Sequence, residues 1–109
     1  MYNELVEALK ALHGVSFTEH EWATRPEGDF GTVQLDFQAA PDAGDDHHQG
    51  QAWQGSVDLY THGKADQTAA QVEAVLESIC GASWELNLNA YEHETGLLHR
   101  EYVFEIEVL

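Results

Sequence analysis

A chain of 109 residues is long enough for one compact domain, spanning 1–109, with a single core that buries about 65% of the unfolded surface. Four Lys plus Arg against twenty Asp plus Glu leave a net charge of −16, which excludes nucleic-acid binding through a basic face and makes an anionic membrane a poor partner. A composition that is 43% hydrophobic and 10% aromatic, with two Pro, excludes a disordered chain despite that charge.

Leu5, Leu9 and Leu12 recur at spacings of four and three, with Val6 and Ala8 beside them and Glu4, Glu7 and Lys10 elsewhere. The pattern predicts an amphipathic helix capped at Asn3 and stopped at Gly14. A weaker strand signal covers Val15 to Trp22, and Arg25 to Gly31 reads as a turn region. Val33, Leu35 and Phe37 then alternate with Gln34, Asp36 and Gln38, the period of a strand with one wet face. From Ala39 to Gly50 the chain carries almost no apolar bulk, and it reads as a long loop.

Val57 and Leu59 alternate with Asp58 and Tyr60 in a further strand. The second helix is marked by Ala69, Val72, Val75, Leu76, Ile79 and Cys80 on one side and by Glu73 and Glu77 on the other. Thr68 with Gln71 supplies a capping box, and Gly81 a stop. Trp84, Leu86, Leu88 and Ala90 alternate with Glu85, Asn87 and Asn89, which places Trp84, Leu86 and Leu88 together on a buried face. Glu92 to Leu98 reads as a hairpin, and Tyr102, Phe104, Ile106 and Val108 mark the last strand. The order is helix, weak strand, strand, strand, helix, strand, strand. It predicts an α+β domain: a mainly antiparallel sheet of four to five strands with two helices packed on one face.

Seven histidines among twenty carboxylates raise the question of a metal. The best cluster is Asp42, Asp45, Asp46, His47 and His48, but a Gly-rich loop offers no fixed scaffold for a tetrahedral or octahedral ligand set, so no metal is expected. The Glu-His-Glu triplets at 19–21 and 92–94 do not converge on an ion either, since a strand points each histidine away from its two carboxylates. Cys80 lies on the apolar stripe of the second helix as a small hydrophobe. A lone cysteine forms no internal disulfide, which suits a reducing cytoplasm.

Ser16, Ser56, Ser78 and Ser83 lack a nucleophile elbow, and no glycine pattern matches a phosphate loop. No catalytic residue and no cofactor is therefore assigned. No apolar run reaches the length of a membrane span, and Met1 to Leu12 lacks the pattern of a signal peptide, so a soluble cytoplasmic chain is expected. Trp53, among Gln and Gly after the long loop, and Tyr60 on a wet strand face are candidate subunit contacts, together with the Asp42–His48 loop.

Several segments carry a resemblance: Asn-Glu-Leu-Val-Glu-Ala-Leu-Lys-Ala-Leu at 3–12, His20 to Trp22, and Arg-Pro-Glu-Gly-Asp-Phe-Gly-Thr-Val at 25–33. They continue with Val-Asp-Leu-Tyr-Thr-His-Gly-Lys-Ala-Asp at 57–66, Ala-Ala-Gln-Val-Glu-Ala-Val-Leu at 69–76 and Tyr-Glu-His-Glu-Thr-Gly-Leu-Leu-His-Arg-Glu-Tyr-Val-Phe-Glu-Ile at 91–106. In order and spacing the chain resembles the tail completion or tail terminator proteins at the head-tail junction of long-tailed bacteriophages. The double-histidine loop has no counterpart in that pattern.

The resemblance implies a non-enzymatic virion component, assembled in the host cytoplasm, that closes with copies of itself into a ring, six-fold in expectation. Its partners would be the tail tube protein and the head connector proteins, and DNA would pass through without specific binding. The contrasting expectation is an acidic DNA mimic that occupies the basic groove of a nuclease or repressor. Against it stands the even spread of carboxylates along the wet halves of strands and helices.

Overall fold

In the computed structural model, residues 1–39 and 51–108 are described. The predicted loop from Ala40 onward, with Asp42, Asp45, Asp46, His47 and His48, lies outside them. The leucine stripe folds as helix α1 (Tyr2–Lys10), which buries Leu5, Val6 and Leu9 and leaves Glu4 and Lys10 in its first and last turns, each favourable to the helix dipole. Met1 stands at the N-cap position, so Asn3 lies inside the helix instead of capping it, and the helix ends before Gly14 is reached.

Strand β1 (Ser16–Glu19) runs parallel to β2 (Phe30–Gln38). The sequence signal ran on to Trp22, but His20 takes a left-handed φ of 64° and ends the strand after Glu19. The parallel pair is closely seated, because the Phe17 ring fills the space that a Cβ on Gly31 would occupy. Strand β3 (Gln51–Thr61) pairs antiparallel with β2, and β5 (Leu97–Val108) pairs antiparallel with β3 on one side and with β4 (Trp84–Glu92) on the other. The order β1-β2-β3-β5-β4 makes a mixed sheet, antiparallel in three of its four pairings.

Because β3 and β4 run in the same direction with β5 between them, the chain must cross over the sheet to join them. Helix α2 (Asp66–Cys80) is that crossover. It starts earlier than the capping box at Thr68 suggested: its N-cap is Ala65, in left-handed conformation with φ 45°, and no side chain caps it. Its end follows the sequence, with Gly81 at φ 61° as the C-cap.

Ala69, Val72 and Leu76 of α2 join Leu5, Val6 and Leu9 of α1 over Phe17, Val33, Val57, Leu59, Tyr102, Phe104 and Ile106 of the sheet, forming one core between the helix pair and one sheet face. Phe104 lies against Gly55 so closely that any side chain there would meet its ring.

Two bulges break the alternation read from the sequence. The register slips between Leu35 and Phe37 in β2, and Phe37 ends 55% exposed. In β4 it slips between Leu86 and Leu88, so Leu86 opposes the buried Tyr102 while Leu88 opposes Glu101 on the other face. The expectation that Trp84, Leu86 and Leu88 share a buried face is thus corrected. Only Trp84 packs on the core, its ring centre 5.9 Å from that of Tyr102 in an edge-on arrangement and its Nε1 donating to Glu77 Oε2 at 2.7 Å.

Candidate functional site

The sheet face turned away from the helices carries a stack built by strand register. Phe30, Tyr60 and His99 are direct cross-strand neighbours on β2, β3 and β5, and on a pleated sheet such neighbours share a face. Their rings lie nearly parallel, 5.0 Å apart for Phe30 and Tyr60 and 4.3 Å for Tyr60 and His99. Arg25, from the turn before β2, lays its guanidinium 5.5 Å from the Phe30 ring centre.

At the other end of the stack, His99 Nε2 meets Asp58 Oδ1 at 2.7 Å and Nδ1 lies 3.6 Å from Glu92 Oε2. One imidazole thereby ties β3, β5 and the end of β4 together. Burial pushes the Asp58 carboxyl above its ordinary value, against the pull of His99. Tyr60 is raised for the same reason, aided by the negative charges of Asp58, Glu92 and Glu101.

Beside the stack opens a shallow groove of about 450 Å³ lined by His20, Trp22, Arg25, Thr32, Gln34 and Tyr60 among others. Its polar groups are partly committed. Trp22 Nε1 donates to the Gly31 carbonyl at 3.1 Å, and Gln34 Nε2 donates to Asp36 at 2.7 Å. The arrangement has stacking and hydrogen-bonding surface but no nucleophile with an adjacent base. Among the described residues, no group of three or more His, Cys, Asp or Glu is placed to hold a metal ion.

The second feature is the free edge of β4. Among the described residues, this nine-residue strand closes the sheet and pairs only with β5. It exposes 43% of Leu86, 40% of Leu88 and 57% of Tyr91. The bulge at Asn87, whose amide donates to Glu101 Oε1 at 2.8 Å, sends the two leucines to opposite faces, so apolar surface flanks the edge on both sides. Proteins usually blunt such an edge by shortening it or placing charges on it. The opposite edge, β1, has four residues.

The two aromatic contact candidates fall on different faces. Trp53 is half-buried, opposite Ile106 and Gln38 and in phase with the buried Val57 and Leu59, hence on the helix side of β3. Tyr60 has Phe30 and His99 over its two ring faces, which leaves its edge for any partner. The two Glu-His-Glu triplets do not lie within strands. Glu19 and Glu92 end β1 and β4; the chain bends at His20 and leaves the strand, and His93 and Glu94 belong to a turn. Cys80 is half-buried on α2, and burial pushes its thiol up to about 11, far from a reactive thiolate.

The β4 edge was missed because perfect alternation reads as one buried face. Asn87 and Asn89, poor strand formers, were the available sign of a bulged, exposed strand.

No family model matches the chain, and no curated protein matches it in sequence. In three dimensions the chain is similar to one from a solved structure described as "Virion of native gene transfer agent (GTA) particle". The TM-score is 0.58 at 15% identity, over 99% of this chain and 93% of that one. The two share a fold. Among the described residues, no helix is long and apolar enough to cross a membrane.

Proposed function

We propose that this chain is a non-enzymatic structural component of a phage-like virion, of the tail terminator or completion type. In this reading, copies close into a ring, six-fold in expectation, at the head-proximal end of the tail tube and join tail to head. The observation that carries the reading is the fold shared, nearly end to end in both chains, with a chain of a gene transfer agent virion.

The β4 edge supports it physically, since strand addition by a neighbour would cover Leu86, Leu88 and Tyr91 and satisfy the unpaired backbone groups. A head-to-tail contact of this kind closes into a ring when its rotation divides a full turn. Trp53, and the Asp42–His48 loop, remain proposed contacts in that assembly. A surface of net charge −16 also repels phosphate, which lets DNA traverse a ring without sticking.

The acidic DNA-mimic reading is separated by ionic strength. Subunits that repel one another associate better as salt screens them, whereas an acidic mimic is released from a basic partner by the same ions. Sedimentation of the protein alone, and with purified tail tubes, at low and high salt is the test. Self-association or tube capping that strengthens with salt is expected, and steady weakening would refute the repulsion-limited ring.

A further inference from the structure

Among the described residues, Arg100 is the one Lys or Arg of this acidic chain that lies in the interior. It sits on β5 opposite Leu59, on the helix side of the sheet, and is only 6% exposed. Its guanidinium reaches the first residue of α2, with Nη2 3.3 Å from Asp66 Oδ1. That pairing is lopsided, because the Asp66 side chain is 80% exposed while that of Arg100 is not. Nη1 is buried and has no hydrogen-bond partner among the described residues. A buried guanidinium nitrogen without an acceptor is costly, and natural proteins rarely leave one so.

The end of the helix above it is equally unfinished. A helix leaves its first backbone N–H groups without intrahelical acceptors, and a side chain at the N-cap commonly accepts one of them. Here the N-cap is Ala65, whose methyl accepts nothing and whose left-handed backbone is itself unfavourable. The turn leading in is held by other means: Thr61 Oγ1 donates to the Gly63 carbonyl, and the His62 backbone N–H and Nδ1 both meet Asp29 Oδ1. Lys64, exposed, precedes Asp66 by two residues. Donors and positive charge thus converge at one place on a chain with four Lys plus Arg in all.

We infer that the N-terminus of α2, with Arg100 beneath it, is an oxyanion site in which Asp66 is a loosely held resident, and that in assembly it accepts a carboxylate from a second copy of this chain. The inference rests on the ring reading for its partner but not for the site. Asp66 swings outward, the incoming oxygens bridge the Arg100 guanidinium and the free N–H groups of the first turn, and Nη1 gains its acceptor. A second copy is the fitting source because its surface is carboxylate-rich at every segment, and because the bare β4 edge offers a contact that brings copies close enough to present one.

The probe is inorganic phosphate, titrated into the wild-type protein with the ionic strength held constant by chloride and followed through the backbone amide resonances of Gln67 and Thr68. Saturable shifts at these amides are expected. Asp66→Asn, an exposed change that removes the resident charge, tightens binding roughly fivefold, whereas Lys64→Glu weakens it. Absence of a saturable shift, or an unchanged affinity in Asp66→Asn, overturns the site.

In parallel, sedimentation at matched ionic strength reads the partner. Phosphate that competes with self-association supports the second-copy carboxylate, and phosphate that binds without affecting association overturns it. A protein that associates with copies of itself neither alone nor on purified tail tubes defeats the ring reading and the second-copy source with it, while the amide titration still decides the site.

Discussion

Converting the β4 edge to a charged one tests the assembly reading where the structure is most explicit. At the exposures of Leu86, Leu88 and Tyr91, roughly 75 Å² of each leucine and about 120 Å² of the tyrosine remain open to water. Full coverage of that surface would contribute ~7 kcal/mol of transfer free energy per contact as an upper bound. The double variant Leu86→Lys, Leu88→Lys removes more than half of it. It also changes the net charge from −16 to −14, since −16 + 2 = −14, so it lowers the repulsion between copies. Electrostatics alone would therefore make the variant associate better than the wild type. If the edge is the contact, association falls by at least 100-fold, the effect of ~3 kcal/mol. Both leucines are already two-fifths exposed, so the monomer should lose only about 1 kcal/mol. Sedimentation velocity reads association and urea unfolding reads stability. Association equal to or stronger than wild type, with a folded monomer, would refute the edge as the contact.

Three further outcomes follow from the geometry. Gly55→Ala drives a methyl into the Phe104 ring and the Gln34 carbonyl and should destabilise by about 3 kcal/mol, visible as a lowered urea midpoint with an unchanged slope. Gly63→Ala, where the new methyl meets open space but φ is +76°, should cost only the backbone strain of about 1 kcal/mol, so a larger loss there than at Gly55 would contradict the packing account. The Asp58 carboxyl is raised by burial, so its contribution to stability is full below the unfolded value of 3.8 and is lost as pH rises through the native value. Relative to Asp58→Asn, the wild type should therefore lose stability as pH rises above 3.8. A relative gain over that range would mean that the contact with His99 outweighs desolvation.

How much of this was legible in the sequence depended on whether each strand is buried on one face without interruption. Along β5, Tyr102, Phe104 and Ile106 alternate and are all buried, because a central strand has neighbours on both sides that hold its register. Along β4 the same alternation misled, because an edge strand is held from one side only and can absorb a bulge at Asn87 that turns Leu88 over. Helix ends were less readable than helix faces. The stripe of α2 was correct at Ala69, Val72 and Leu76, yet the capping box at Thr68 yielded to a start at Asp66 that uses no side-chain cap. Nothing in the local sequence announces Arg100, because its burial and its pairing with Asp66 depend on a crossover that brings together residues 34 positions apart. The stack of Phe30, Tyr60 and His99 is equally a product of register across three strands.

An exposed apolar edge and a net charge of −16 oppose one another, and in the ring reading that opposition has a use. A long bare edge on a neutral chain would recruit copies without control, since strand addition has little sequence preference. Repulsion between copies acts over the Debye length of ~8–10 Å, so it disfavours every approach about equally, whereas the gain from covering Leu86, Leu88 and Tyr91 arises only in close contact. Association then requires a partner geometry that satisfies the whole edge at once, or an added surface that holds several copies near one another. A tail tube end would supply such a surface, and the charge would keep free copies apart until they reach it.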